Sequence, residues 1–254
     1  MGTNRIDCYL DIASLYSYVC FEDMHPNLGR LRANGIEVEF HPVFLGGLLN
    51  LTGNKPPWTS AAKARYLGYD SPRAARRVGI TDYAPPEDLL QRAKTQSALR
   101  ALLFVKARFP RETFLSVLRF LLHRFWTPPH ADVVDEASLK ALLLQATETP
   151  TRGSRLFTEP DVDAIMQGRA EMKGKLIEDT GRLAEDGAFG CPWLVATNSR
   201  GEVEPFFGSD RFNHMYIFLG LPFQDVVVLE PGAKLDGNND SSNKRRDKKP
   251  VKRA

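Results

Sequence analysis

Four short stretches of this 254-residue chain carry side chains whose type and spacing suit chemistry. The first is Ser14-Leu15-Tyr16-Ser17, two hydroxyls three positions apart where strand-like sequence gives way to helical spacing. A helix that starts there offers unpaired amides and the positive end of its dipole, so a hydroxyl beside them can hold a thiolate or another anion. Ser14 serving only as a helix cap is the plain alternative. The second stretch is Gly190-Cys191-Pro192, an X-Pro bond directly before a strand, which in most chains is a trans turn and no more. The third is Phe207-Gly208-Ser209-Asp210-Arg211. Here Ser209 reads as a helix N-cap whose neighbouring amides suit a carboxylate, and Asp210 suits an ammonium group. An ordinary cap is the competing reading. The fourth is Gly53-Asn54-Lys55-Pro56-Pro57, with Lys63 beyond it; taken alone it is a loop, and its spacing from Gly47 fails the phosphate-loop pattern.

These stretches need a frame to bring them together. Residues 6–12 form a short apolar run rich in β-formers, and Tyr18, Phe21, Met24, Leu28 and Leu31 then recur at helical spacing as far as Arg32, despite Pro26. Asn34-Gly35 ends that helix, and Ile36–Val43 alternates with the period of a strand. Strand, crossover helix and strand make a right-handed βαβ unit with parallel pairing. After Gly46-Gly47 the chain turns helical, with no strand-like alternation until about residue 192. Helices are expected over about 87–109, over 110–126 with Pro110 in the first turn, over 135–147, and over 161–186 with Gly187 as the stop. Trp193–Thr197 and Val203–Phe207 then predict a hairpin across the turn at 198–201, and Ser209 opens a last helix marked by Phe212, Met215, Tyr216 and Leu219. The order βαβ, helices, ββα predicts an α/β chain: a thioredoxin-like domain interrupted by an all-helical insertion. The expected organisation is residues 1–55 and 187–233 as the thioredoxin-like part, 56–186 as the insertion, and 234–254 as a disordered basic tail.

In that fold a redox enzyme places two cysteines where this chain has Ser14 and Ser17. Without the dithiol no protein disulfide is shuttled, and what remains is the ability to hold another molecule's thiolate. The same fold raises the standing of Cys191-Pro192, because a cis-proline there exposes the preceding backbone to an extended peptide. A thiolate cradle, a strand-like backbone edge and a cap suited to an amino-carboxylate correspond in order to the parts of glutathione.

On these motifs the chain resembles the kappa-class glutathione transferases, within the DsbA-like group that also holds the hydroxychromene carboxylate isomerases. The resemblance covers about residues 5–222. It rests on Ser14-Leu15-Tyr16-Ser17 against the family's Ser-Pro-Tyr-Ser, on Gly53-Asn54-Lys55-Pro56-Pro57, on Gly187–Pro192 against Gly-Ala-Phe-Gly-x-Pro, and on Phe207–Arg211. It implies that Ser14 is the catalytic hydroxyl on the glutathione sulfur and that Leu15, Tyr16 and Ser17 belong with it to the glutathione-binding residues. It also implies that Asn54 and Lys63 reach the glycyl end, that the backbone of Cys191, before Pro192, pairs with the cysteinyl group, and that Ser209 and Asp210 hold the γ-glutamyl end. Glutathione is then a substrate added to a small electrophile or used to reduce a hydroperoxide; a homodimer in mitochondria or peroxisomes is implied by resemblance alone. Two departures stand out. Leu15 replaces a proline and removes a φ constraint but no functional group. Cys191 replaces a usual leucine and sets a protein thiol near the ligand's sulfur, a candidate for a mixed disulfide with glutathione against the alternative of a packed thiol.

Composition narrows the alternatives. With 43% hydrophobic and 26% charged residues the chain is ordinary globular material, and no window approaches a membrane-spanning run. The formal charge of +3 is concentrated from Asp236 onward, where seven Lys/Arg face three Asp; the body carries no nucleic-acid footprint. Three widely spaced cysteines, Cys8, Cys20 and Cys191, point to a reducing, intracellular compartment, the N-terminus leaves no room for a signal peptide, and the five histidines show no metal-ligand spacing. No metal is expected. Two rivals stay open: an isomerase that uses glutathione as cofactor in the same cradle, and a non-catalytic thioredoxin-like binding module with a docking tail.

Overall fold

Alternation of apolar and polar residues in Asn4–Leu10 (β1) puts Ile6, Cys8 and Leu10 into the core and leaves Arg5, Asp7 and Tyr9 half-buried on the opposite face. The structure, a computed structural model, describes residues 4–224 together with 226 and 228. The chain divides into two units, residues 1–222 and 223–254; every element below lies in the first. The basic tail expected from residue 234 falls outside the described residues.

Helix α1 (Leu15–Met24) follows β1 and buries most of its circumference, with Val19, Cys20, Phe21 and Met24 wholly inside. The helix expected to continue to Arg32 is broken. His25–Asn27 forms a 3-10 turn before α2 (Leu28–Ala33), since Pro26 has no N–H to give an α-helical ladder. Gly35 takes the left-handed conformation (φ 75°) that turns the chain into β2 (Ile36–Pro42). Parallel pairing of β1 with β2 sets Ile6 beside Val38 and Cys8 beside Phe40, completing the βαβ unit.

The helical region holds α3 (Leu45–Thr52), α4 (Ala61–Arg77), α5 (Leu89–Arg92), α6 (Gln96–Arg108), α7 (Arg111–Trp126), α8 (Glu136–Leu144), α9 (Glu159–Gly168) and α10 (Met172–Glu185). Several expected boundaries shift. Gly46 and Gly47 lie inside α3; the 87–109 helix is two helices separated at 93–95; the 161–186 helix is two helices separated at 169–171. Pro110 stands at the N-cap of α7 rather than in its first turn. A small hairpin of β3 (Thr147–Thr149) and β4 (Arg152–Arg155) is present where no strand was expected, because three or four largely exposed residues carry no burial-driven alternation.

The chain then returns to the sheet with β5 (Trp193–Thr197) and β6 (Val203–Phe207). Strand order is β2-β1-β5-β6, with β5 antiparallel to β1 and β6 antiparallel to β5, so the two ends of the sequence meet at the centre of one sheet. Lys106 donates to the Phe40 carbonyl at 2.6 Å and Arg111 to the Val38 carbonyl at 2.5 Å, and two cations thereby occupy the open edge of β2. The last helix, α11, runs only from Phe212 to Phe218 with Arg211 at its N-cap. Ser209 is therefore not the cap that the sequence promised; it sits in the loop three residues earlier. Behind β1, Phe21, Phe40, Leu99, Leu121 and Phe125 form the main core, while Val43, Leu48, Leu183, Cys191 and Trp193 form a second cluster that Tyr9 packs against.

Candidate active site

The loop Asp11–Ser14 leaves the end of β1 and turns directly into α1, with the Ser14 amide donating to the Asp11 carbonyl at 3.1 Å. Trp126 pins that loop from α7, donating through Nε1 to the Ile12 carbonyl at 2.8 Å. Ser14 is the N-cap of α1 in extended conformation; its Oγ accepts from the Ser17 amide at 3.1 Å. The hydroxyl proton is directed elsewhere: Oγ donates to the Cys191 carbonyl at 2.9 Å, 177 residues away in sequence. Ser14 thus caps α1, while its hydroxyl proton is taken up by the Cys191 carbonyl.

Cys191 precedes Pro192 through a cis bond. Its carbonyl takes the Ser14 proton, and its amide has no protein partner among the described residues although the residue is 7% exposed. A buried residue with an open N–H just ahead of a strand is a place for another backbone to pair. The Cys191 thiol itself is pushed well up from its ordinary value, first by burial and then by the charge of Asp11.

The sequence reading missed Asp11, a buried acid beside the candidate site. It is 1% exposed, yet its carboxylate accepts from the Ala13 amide at 3.0 Å, the Leu45 amide at 2.6 Å and the Thr95 hydroxyl at 2.8 Å. Leu45 opens α3 and Thr95 is the N-cap of α6, so helix starts converge on this acid from two sides. Burial outweighs those hydrogen bonds and raises its pKa to about 6. The available signal was a single acid at the end of an apolar strand; besides Ala13, its partners Leu45 and Thr95 lie 34 and 84 positions away, and nothing nearby in sequence marks them.

The other expected residues take distinct places. Leu15 is a core residue, and Ser17 is wholly buried with its hydroxyl accepting from the Asp11 amide at 3.3 Å. Tyr16 is half-buried and its hydroxyl donates to Asp70 of α4; burial first, and that bond second, raise its pKa. Gly53 closes α3 in the left-handed region (φ 68°), releasing Asn54 to donate from Nδ2 to the Phe189 carbonyl at 2.7 Å. Asn54 thus ties its loop to the segment that precedes Cys191. Lys63 lies exposed in the first turn of α4 with no ion pair among the described residues.

Beyond β6, Gly208 adopts φ 92° and its amide donates to the Pro192 carbonyl at 3.1 Å, joining this loop to the Cys191-Pro192 turn. A Cβ there would stand 2.8 Å from Asp210 Oδ1. Ser209 is buried and Asp210 is exposed, its carboxylate 2.6 Å from Arg211. Two cavities, ≈ 210 Å³ beside Tyr18 and His123 and ≈ 380 Å³ along the β2 edge, include none of these residues. Among the described residues no cluster of three metal-binding side chains exists, and no helix is long and apolar enough to cross a membrane.

Residues 5–217 match the sequence profile of the DSBA-like thioredoxin domain. The chain is 26% identical over 212 residues to glutathione S-transferase kappa 1 of Caenorhabditis elegans, covering 82% of this chain and 88% of that protein. It is likewise 26% identical over 234 residues to the Homo sapiens glutathione S-transferase kappa 1, covering 91% and 97%. Among solved structures it resembles a 2-hydroxychromene-2-carboxylate isomerase with a TM-score of 0.64 at 17% identity, covering 85% of this chain and 94% of that one. A probable DsbA oxidoreductase from Streptomyces coelicolor follows the same fold with a TM-score of 0.62 at 18% identity, covering 89% and 94%.

Proposed function

The chain belongs to the DSBA-like thioredoxin-domain family, and from that premise we propose that it is a glutathione transferase in which Ser14 stabilises the glutathione thiolate for attack on a small electrophile. The observation that carries the reading is the contact between Ser14 Oγ and the Cys191 carbonyl, which sets a hydroxyl at a helix N-terminus beside the backbone that leads into β5, whose Cys191 amide has no partner among the described residues. Similarity to kappa-class transferases over most of the chain supports the same assignment.

Glutathione lies in this reading with its cysteinyl backbone along Cys191, its sulfur at Ser14 and the start of α1, its glycyl end toward Asn54 and Lys63, and its γ-glutamyl end toward Ser209 and Asp210. The sheet-bearing segments 1–55 and 187–233 bind the tripeptide, and the helices of 56–186 shape the electrophile's side. Holding a thiol of pKa ~8.5 at ~6.5 takes ~2.7 kcal/mol of preference for thiolate. A helix N-terminus supplies at most ~2 kcal/mol and a hydrogen bond to a charged group ~1.5–3 kcal/mol. The Ser14 proton must leave the Cys191 carbonyl to reach the sulfur, which returns ~1 kcal/mol. Neither source suffices alone; together they do. The thiolate then displaces a leaving group such as an aromatic halide, forming the C–S bond as the carbon–halogen bond breaks. Attack on a hydroperoxide by the same thiolate gives the alcohol and a glutathione sulfenic acid, which a second glutathione converts to the disulfide and water.

Titration calorimetry with reduced glutathione, followed by turnover of a halogenated nitroaromatic, tests the assignment. Saturable binding with conjugate formation is expected. No heat of binding and no conjugate at millimolar glutathione refutes it.

A further inference from the structure

Arg77, the last residue of α4, is assigned no part by the function above. Its guanidinium holds Asp23, near the end of α1, through Nη1 at 2.9 Å and through a second, shorter contact from Nη2, and Nη2 also reaches the Ser209 carbonyl at 3.4 Å. One planar cation therefore spans α1, α4 and the loop between β6 and α11. That loop has a left-handed glycine at one end and a seven-residue helix at the other, so its own backbone sets little of its orientation.

We infer that Arg77 is a positioning residue for the γ-glutamyl end of glutathione: by holding the Ser209 carbonyl it fixes the Ser209–Asp210 peptide plane and so aims the Asp210 amide. The inference rests on the functional reading above. It follows from peptide geometry. The bond is trans, so carbonyl and amide point to opposite sides of one rigid plane, and anchoring the first orients the second. Asp23 keeps the guanidinium in place through a two-point contact that a lysine cannot reproduce. Arg77 touches no ligand group itself. The Gly208 amide, bonded to the Pro192 carbonyl, secures the β6 end of the same loop.

The test compares ligands with and without the γ-glutamyl group. Dissociation constants of reduced glutathione and of cysteinylglycine are measured for the parent chain, Arg77→Ala and Arg77→Lys, with urea midpoints recorded to establish that each variant is folded. In Arg77→Ala the preference for glutathione over cysteinylglycine falls ~5–10-fold while cysteinylglycine affinity holds, since the misaimed Asp210 amide loses about one ordinary hydrogen bond to the γ-glutamyl end. Arg77→Lys, which reaches one partner but not both, lies between. An unchanged preference in a folded Arg77→Ala, or an equal loss for both ligands, overturns the inference and leaves the function standing. A parent chain that binds neither ligand overturns the function, and the inference with it.

Discussion

Replacing Asp11 by asparagine isolates the effect of one buried charge. In the folded chain its carboxyl titrates near pH 6 against an ordinary value of 3.8. Between those values the folded state keeps a proton that the unfolded state has released, so stability attributable to this group falls as pH rises. Worked through, ionising Asp11 costs about 3 kcal/mol at pH 7 and about 1 kcal/mol at pH 4.5, a difference of about 2 kcal/mol. Asparagine carries no charge at either pH. It does turn an NH₂ group toward the Leu45 amide, where Asp11 Oδ2 now accepts at 2.6 Å, and a donor facing a donor costs ~1–3 kcal/mol at every pH. Asp11→Asn is therefore expected to be less stable than the parent at pH 4.5 and close to it, or more stable, at pH 7. Urea unfolding at the two values gives the comparison directly, because other titrating groups cancel between parent and variant. A stability difference that is the same at both pH values would refute the argument and return Asp11 to an ordinary carboxylate.

Other consequences follow from the same geometry. Cys191 is buried beside Asp11, and its thiol is held well above the range in which it ionises, so intact mass after incubation with oxidised glutathione is expected to show no adduct at this position; a +glutathione species lost in Cys191→Ser contradicts that. Asp7 shows the opposite sign to Asp11. Burial alone would raise its carboxyl, but His41 at 2.6 Å and Arg5 at 2.7 Å outweigh that and hold it at about 2. The stabilisation, about 1–2 kcal/mol after solvent screening, is present above pH 4 and disappears as pH falls toward 2. Asp7→Asn should therefore be destabilised by that amount at pH 6 and match the parent near pH 2 in urea unfolding, and equal stability at pH 6 would contradict it.

Much of the frame is legible in the sequence because burial imposes a period on it. The β1, β2, β5 and β6 runs alternate or stay apolar, and each forms a strand, β1 starting and ending two residues before the expected 6–12. The same signal fails where burial is weak. The β3–β4 hairpin lies largely at the surface and was invisible, and helix breaks at 93–95 and 169–171 interrupt no apolar stripe strongly enough to be seen. Start signals proved less reliable than periodicity. Ser14 does cap α1, but Ser209, an equally good cap residue by type, is held in a loop by Gly208 and Arg77 instead. Of the candidate site, what the sequence marked as local motifs, Ser14–Ser17 and Gly190–Pro192, the structure brings together through the Ser14–Cys191 contact. Asp11 and Arg77 escaped notice because what makes them matter is tertiary: each gathers partners from segments that sequence distance hides.

All of the chemistry turns on whether one hydroxyl at the start of α1 holds a sulfur that the chain does not itself possess. Ultraviolet difference spectroscopy of the glutathione complex, titrated across pH for the parent and for Ser14→Ala, measures the bound thiol's ionisation directly. A midpoint near ~6.5 in the parent, moving up to ~7.5 or above in the variant with glutathione still bound, is the expected result. The same midpoint in both proteins, or a parent value indistinguishable from that of free glutathione, would contradict it.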